Sequence, residues 1–187
     1  SDIERAYDCI GKANCSEYIK ERNILLIDII HQVGLRPDMV ASLRASQFNW
    51  TDIEEATDNH VLIKPDRQKL SYDDYFEVSL SLCARILNFI EGERTSKMKT
   101  LALTEKKVSN SLFITEPGRP MSAQRISDAL NSYGIRPYAL RHKFSDDRVY
   151  EELSYRARLG MPVDPLTVLQ SVGQSLGHKN INSQKSY

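Results

Sequence analysis

Residues 18–33 carry a long apolar stripe that stops at a glycine, with a proline three positions further on, and few folds accommodate that order. Tyr18, Ile19, Arg22, Leu25, Leu26, Ile29, Ile30 and Val33 recur every three or four positions, the period of a helix with one buried face. Ser16 stands where it caps the start of this helix, and Gly34 supplies the left-handed residue that ends one. Pro37 suits the first turn of a third helix, with Val40, Leu43 and Met39 facing inward. Ahead of all this, Ser1 and Asp2 can cap a helix running to about Lys12. The front of the chain is therefore helical, with a sharp corner at residues 34–37.

Between residues 60 and 80 the period changes from helical to alternating. Residues 61–64 and 75–80 read as two short strands joined by a polar segment that holds Pro65, Asp66, Asp73 and Asp74. A helix is expected over 81–90. Leu112, Phe113 and Ile114 suggest another short strand before a turn at Pro117 and Gly118, and Ser122 caps a helix to about Tyr133. From Tyr138 the chain is mostly helical, with a break across 160–165. No internal repeat or low-complexity tract is present. The expected class is α+β, mostly α, with a small antiparallel β-sheet, in a single domain over residues 1–187.

Composition excludes several other classes. An apolar content of 41% and a charged content of 27% over 187 residues fit one globular domain rather than a disordered chain. The longest apolar run, residues 24–30, is broken by Asp28 and is too short to cross a bilayer. With no charged-then-apolar leader, a cytoplasmic location is expected. Cys9, Cys15 and Cys83 are odd in number and lack metal-ligand spacing, which fits reduced thiols. Net charge is zero, yet residues 1–60 hold 6 Lys/Arg against 11 Asp/Glu, and residues 61–150 hold 15 against 11. Such a chain can present a positive face to a polyanion, although the same counts also fit an evenly mixed solvated surface.

Four residues stand out for their chemistry. Arg36 follows the corner glycine, Arg141 lies just after Pro137, and His178 precedes Tyr187 by nine positions. Attack of a tyrosine on a phosphodiester needs such a set. Two planar guanidinium forks hold the non-bridging oxygens, and cations with an imidazole help a phenol whose reference pKa is about 10 to act as nucleophile. Taken singly, each has a plainer role, such as a surface arginine, a capping histidine or a frayed terminal tyrosine.

In combination they resemble the tyrosine recombinases, the phage-integrase family. Gly34, Leu35 and Arg36 are similar to its first arginine motif, with Leu43 and Arg44 continuing the likeness. Leu140, Arg141 and His142 are similar to its second, and Leu176, Gly177, His178 and Tyr187 to its last. The resemblance spans residues 24–187. It implies a catalytic domain in which Tyr187 forms a 3′-phosphotyrosyl link to double-stranded DNA. Arg36 and Arg141 would stabilise the transition state, and His178 would assist proton transfer. It also implies site-specific recombination (integration or excision) by a homo-oligomer, a tetramer when full length, with no metal or other cofactor and no membrane. A lysine on the hairpin would protonate the leaving oxygen. Counting back from the second strand gives Lys69, which we take, and counting from the first gives Lys64. Lys97, Lys99, Lys106 and Lys107 form a candidate phosphate-contacting patch or, equally, a solvated charged face.

Three departures from the family pattern bear on activity. Tyr138 stands where the second motif usually begins with histidine; its phenol can donate a hydrogen bond but cannot shuttle protons at neutral pH. Met39 stands where an acidic residue is usual, with Asp38 one position early. The stretch between Arg141 and His178 is long, as if residues 151–163 were an inserted helical segment. The family's N-terminal core-binding domain is absent from this chain. The rival expectations are a weakly active or inactive recombinase-fold protein that binds DNA or regulates, and a relative of type IB topoisomerases or telomere resolvases.

Overall fold

Capping side chains set most of the helix boundaries in a computed structural model, which describes residues 1–69, 73–104 and 109–175. Ser1 and Glu4 form a reciprocal capping box at the start of α1 (Asp2–Lys12). Ser16 Oγ accepts from the Ile19 amide to open α2 (Glu17–Val33), and Gly34, at φ 77°, closes it. Pro37 then begins the short α3 (Pro37–Ala41). Asn49 caps α4 (Trp50–Glu54), Ser79 caps α5 (Leu80–Phe89) and Ser122 caps α7 (Ala123–Asn131).

The expected hairpin is present. β1 (His60–Ile63) pairs antiparallel with β2 (Phe76–Ser79), with Ile63 opposite Phe76 and His60 opposite Ser79. Along β2 the buried Phe76 and Val78 alternate with exposed Glu77 and Ser79, the pattern of a sheet with one face on the core. Leu80 begins α5 instead of ending the strand, because the Ser79 cap turns the chain there.

Two further segments differ from expectation. The helix expected over 81–90 does not stop at Ile90: it passes through a wide π turn (Ile90–Arg94) into α6 (Thr95–Ala102). Thr95 Oγ1 bonds the Ile90 carbonyl at 2.6 Å across that turn, and Arg94 is turned into the protein. The segment 112–114 is fully buried but is not a strand of a ladder; its neighbourhood holds only isolated bridges, Arg44 to Ser111 and Ile114 to Pro120. Its backbone is satisfied partly by main-chain bonds, from the Leu112 amide to the Leu43 carbonyl at 2.8 Å and from the Met121 amide to the Phe113 carbonyl at 3.1 Å, and partly by side chains. Tyr18 Oη bonds both the amide and the carbonyl of Ile114, each at 3.1 Å. Arg22 reaches the same carbonyl at 3.0 Å, and Arg94 donates to the carbonyls of Ser109, Ser111 and Leu112. Buried backbone groups need partners, and here guanidinium groups help supply them.

α2 is the axis of the fold. Beyond the expected stripe, Asn23, Ile27 and Asp28 are also buried, so neighbours enclose the helix on nearly all sides. Asp28 is accommodated by bonds from Tyr7 Oη at 2.5 Å and Arg85 at 2.6 Å, which explains a carboxylate inside an apolar run. α8 (Pro137–Arg158) packs along α2, and α9 (Pro165–Ser175) packs on α8 through Phe144, Val168 and Val172. Residues 151–158, expected in an insertion, are the end of α8, and residues 159–164 connect it to α9. Among the described residues no helix is long and apolar enough to cross a membrane.

Candidate active site

The corner between α2 and α3 positions the first arginine. Gly34 takes the left-handed conformation, Leu35 is buried as the chain turns, and Arg36 becomes the N-cap residue of α3. Its half-buried side chain has no partner among the described residues. The second arginine arrives from the far end of the sequence. Arg141 sits one turn into α8, buried, and its Nε donates to the Gly34 carbonyl at 2.8 Å. One turn further along, Phe144 lies so close to Gly34 that a Cβ there would meet the ring at 2.5 Å. The same glycine thus makes the corner, accepts from Arg141 and lets α8 pack.

Both arginines line one cleft of about 930 Å³. Gln124, Ser127 and Asn131 form one face of α7 on its opposite wall, and Arg136, Pro137 and Tyr138 bring in the start of α8. Three arginines and one acidic residue, Asp38, make the cleft cationic. The N-terminus of the 22-residue α8 opens onto it, with no side-chain cap on its amides, adding the favourable end of a helix dipole. Such a cleft suits an anion of phosphate geometry.

Tyr138 is 62% exposed and meets His142 edge-to-face at 4.0 Å between ring centroids. Tyr138 also lines the cleft. Met39 is buried in the core and Asp38 lines the cleft.

The hairpin loop is fastened beside α3. Ser42 Oγ accepts from the Arg67 amide at 3.0 Å while donating to the Met39 carbonyl at 2.7 Å. Arg44 holds Asp66 in a two-pronged pair at 2.7 and 3.2 Å, and Gln47 donates to the Lys64 carbonyl at 2.7 Å. Lys64 pairs with Asp73, which holds its ammonium pKa above the ordinary lysine value, and lies 5.8 Å from the Tyr75 ring. Lys69 is exposed at the end of the described part of this loop. Elsewhere, Lys97 is engaged with Glu116 at 2.8 Å and Lys99 is exposed on α6. Lys106, Lys107, His178 and Tyr187 lie outside the described residues.

No family model and no curated protein sequence matches this chain. Solved structures do. The crystal structure of XerA recombinase matches over 98% of this chain and 56% of its own, at 13% identity and a TM-score of 0.59. XerH site-specific recombinase, in a post-cleavage complex with palindromic difH substrate, matches over 99% of this chain and 46% of its own, at 22% identity and a TM-score of 0.59. The fold is that of a tyrosine recombinase catalytic domain.

The Tn1549 transposon integrase, in complex with a circular intermediate DNA, extends this likeness to a third recombinase, over 98% of this chain and 58% of its own, at 16% identity and a TM-score of 0.55. The chain spans about half the length of the recombinases it matches. Within this recombinase fold the sequence motifs had singled out Arg36 and Arg141, but not Arg136 or the polar face of α7. The signal for Arg136 was local: an arginine directly before a helix-opening proline, at the end that attracts anions.

Proposed function

We propose that this chain cleaves and rejoins double-stranded DNA in site-specific recombination, through a 3′-phosphotyrosyl intermediate. One observation carries the reading: Arg36 and Arg141, far apart in sequence, line one cationic cleft and are tied together through Gly34. In the proposed reaction the scissile phosphate sits between the two guanidinium groups, which neutralise charge as the phosphorus becomes five-coordinate. Arg141 is held by the Gly34 carbonyl before the reaction begins, so little reorganisation is needed on its side. Tyr187 Oη attacks phosphorus and its proton passes to His178. The bond to the 5′ oxygen breaks, and Lys69 protonates that oxygen as it leaves. Lys69 is favoured over Lys64 because Lys64 is already paired with Asp73. The ester bond is kept as a phosphotyrosine, so rejoining needs neither metal nor nucleotide. Double-stranded DNA is the partner, engaged by a homotetramer.

A second reading, a recombinase-fold protein that binds DNA with little or no turnover, draws on Tyr138, which puts a phenol on the cleft wall in place of an imidazole. One experiment separates the two. The chain is incubated with a pool of nicked duplexes, and covalent adducts are digested and mapped by mass spectrometry. The catalytic reading expects a nucleotide on Tyr187 that disappears in Tyr187→Phe while duplex binding persists. Binding without any adduct favours the second reading.

A further inference from the structure

A second cleft, of about 600 Å³, shares Gly134 and Arg136 with the first and lies between the start of α1 and the first two turns of α8. Gly134 and Arg136 line both clefts, so the two adjoin at the start of α8. Beyond Arg136 the α8 wall of the second cleft is Ala139 and Leu140, and it reaches Lys143. These positions recur every three or four residues and share one face of the helix. The small Ala139 leaves room between the two cations. Asp2 is the acidic residue on this wall, and Arg5 already neutralises it. Lys143 is half-exposed and paired only loosely with Asp147, at 3.4 Å. Arg136 is exposed, with no partner among the described residues.

We infer that the DNA strand carrying the attacked phosphate continues along this second cleft, with Arg136 and Lys143 each holding a further phosphate. The inference rests on the DNA-cleaving reading above. α8 rises about 10 Å between the two residues, which corresponds to about three steps of 3.4 Å along one strand. Neither touches the reacting phosphorus. Their contribution is to register and affinity, the part of recognition that backbone phosphates supply.

The test measures binding of a random-sequence duplex by the whole chain over a range of salt, using fluorescence anisotropy. Each phosphate contact contributes about 0.9 to the slope of log affinity against log salt. Arg136→Gln and Lys143→Gln are expected to reduce that slope by about 1 each and by about 2 together, whereas Arg136→Lys retains it. Lys12→Gln, which removes an exposed charge on α1 away from the second cleft, is expected to leave the slope unchanged. Melting curves confirm that each variant is folded. If the double variant keeps the wild-type slope, or Lys12→Gln lowers it equally, the second cleft does not carry the strand and the cleavage reading stands apart. Absence of salt-dependent duplex binding by the wild type overturns both.

Discussion

Arg141 donates from Nε to the carbonyl oxygen of Gly34 at 2.8 Å, joining positions 107 residues apart in the chain. Arg36 follows two residues after that glycine, so the bond makes the corner bearing one arginine and the helix bearing the other a single mechanical unit. Phe144 reinforces the joint by packing where a Gly34 side chain would be.

Gly34→Ala is therefore expected to be costly. The left-handed backbone penalises any Cβ by about 1–2 kcal/mol, and displacing the Phe144 ring adds about 1–3 kcal/mol of overpacking. A loss of about 2–5 kcal/mol in urea unfolding is predicted. A change under about 0.5 kcal/mol would show that α8 can shift without strain, and the joint would then be loose.

Arg141→Lys removes both the Nε bond and the flat fork that grips two oxygens, although it keeps the charge. If the arginine stabilises the transition state, adduct formation should fall by about 10²–10³-fold, as when one donor to a developing oxyanion is lost. Arg36→Lys should lower adduct formation comparably, with stability changed by less than about 0.5 kcal/mol, since Arg36 has no partner among the described residues. Single-turnover kinetics on a nicked duplex measures both. Near-wild-type rates in either variant would remove that arginine from the reaction.

Arg94→Met tests a different part of the account. Arg94 is the donor to the carbonyls of Ser109, Ser111 and Leu112. Methionine fills similar space but leaves those acceptors without that donor. The expected cost is about 1–3 kcal/mol, with faster amide exchange at residues 112–114 than at the centre of α2. Unchanged exchange there would mean that Tyr18, Arg22 and the main-chain bonds hold this segment without Arg94.

What was legible in the sequence was largely what is local. Ser1, Ser16, Gly34, Pro37 and Ser122 mark helix ends because capping is decided within three or four residues. The hairpin announced itself by its alternation. The triplet Leu112, Phe113 and Ile114 misled because full burial looks the same in a strand and in a loop. Its hydrogen-bonding partner, Tyr18, lies 96 residues away. The run from α5 through the π turn into α6 was likewise hidden, because what turns Arg94 inward is a set of carbonyls met only in the folded state. For the site, the motifs gave the identities of Arg36 and Arg141. Their convergence depends on Gly34 meeting Arg141 and Phe144, and Arg136 enters the cleft through a helix start that no motif flags.

The central claim is that Arg36 and Arg141 bind one phosphate, and a crystal of this chain soaked with vanadate tests it most directly. A single anion is expected in the cleft, within hydrogen-bonding distance of both guanidinium groups and near the start of α8. An empty cleft, or an anion held by one arginine while the other points away, would contradict it.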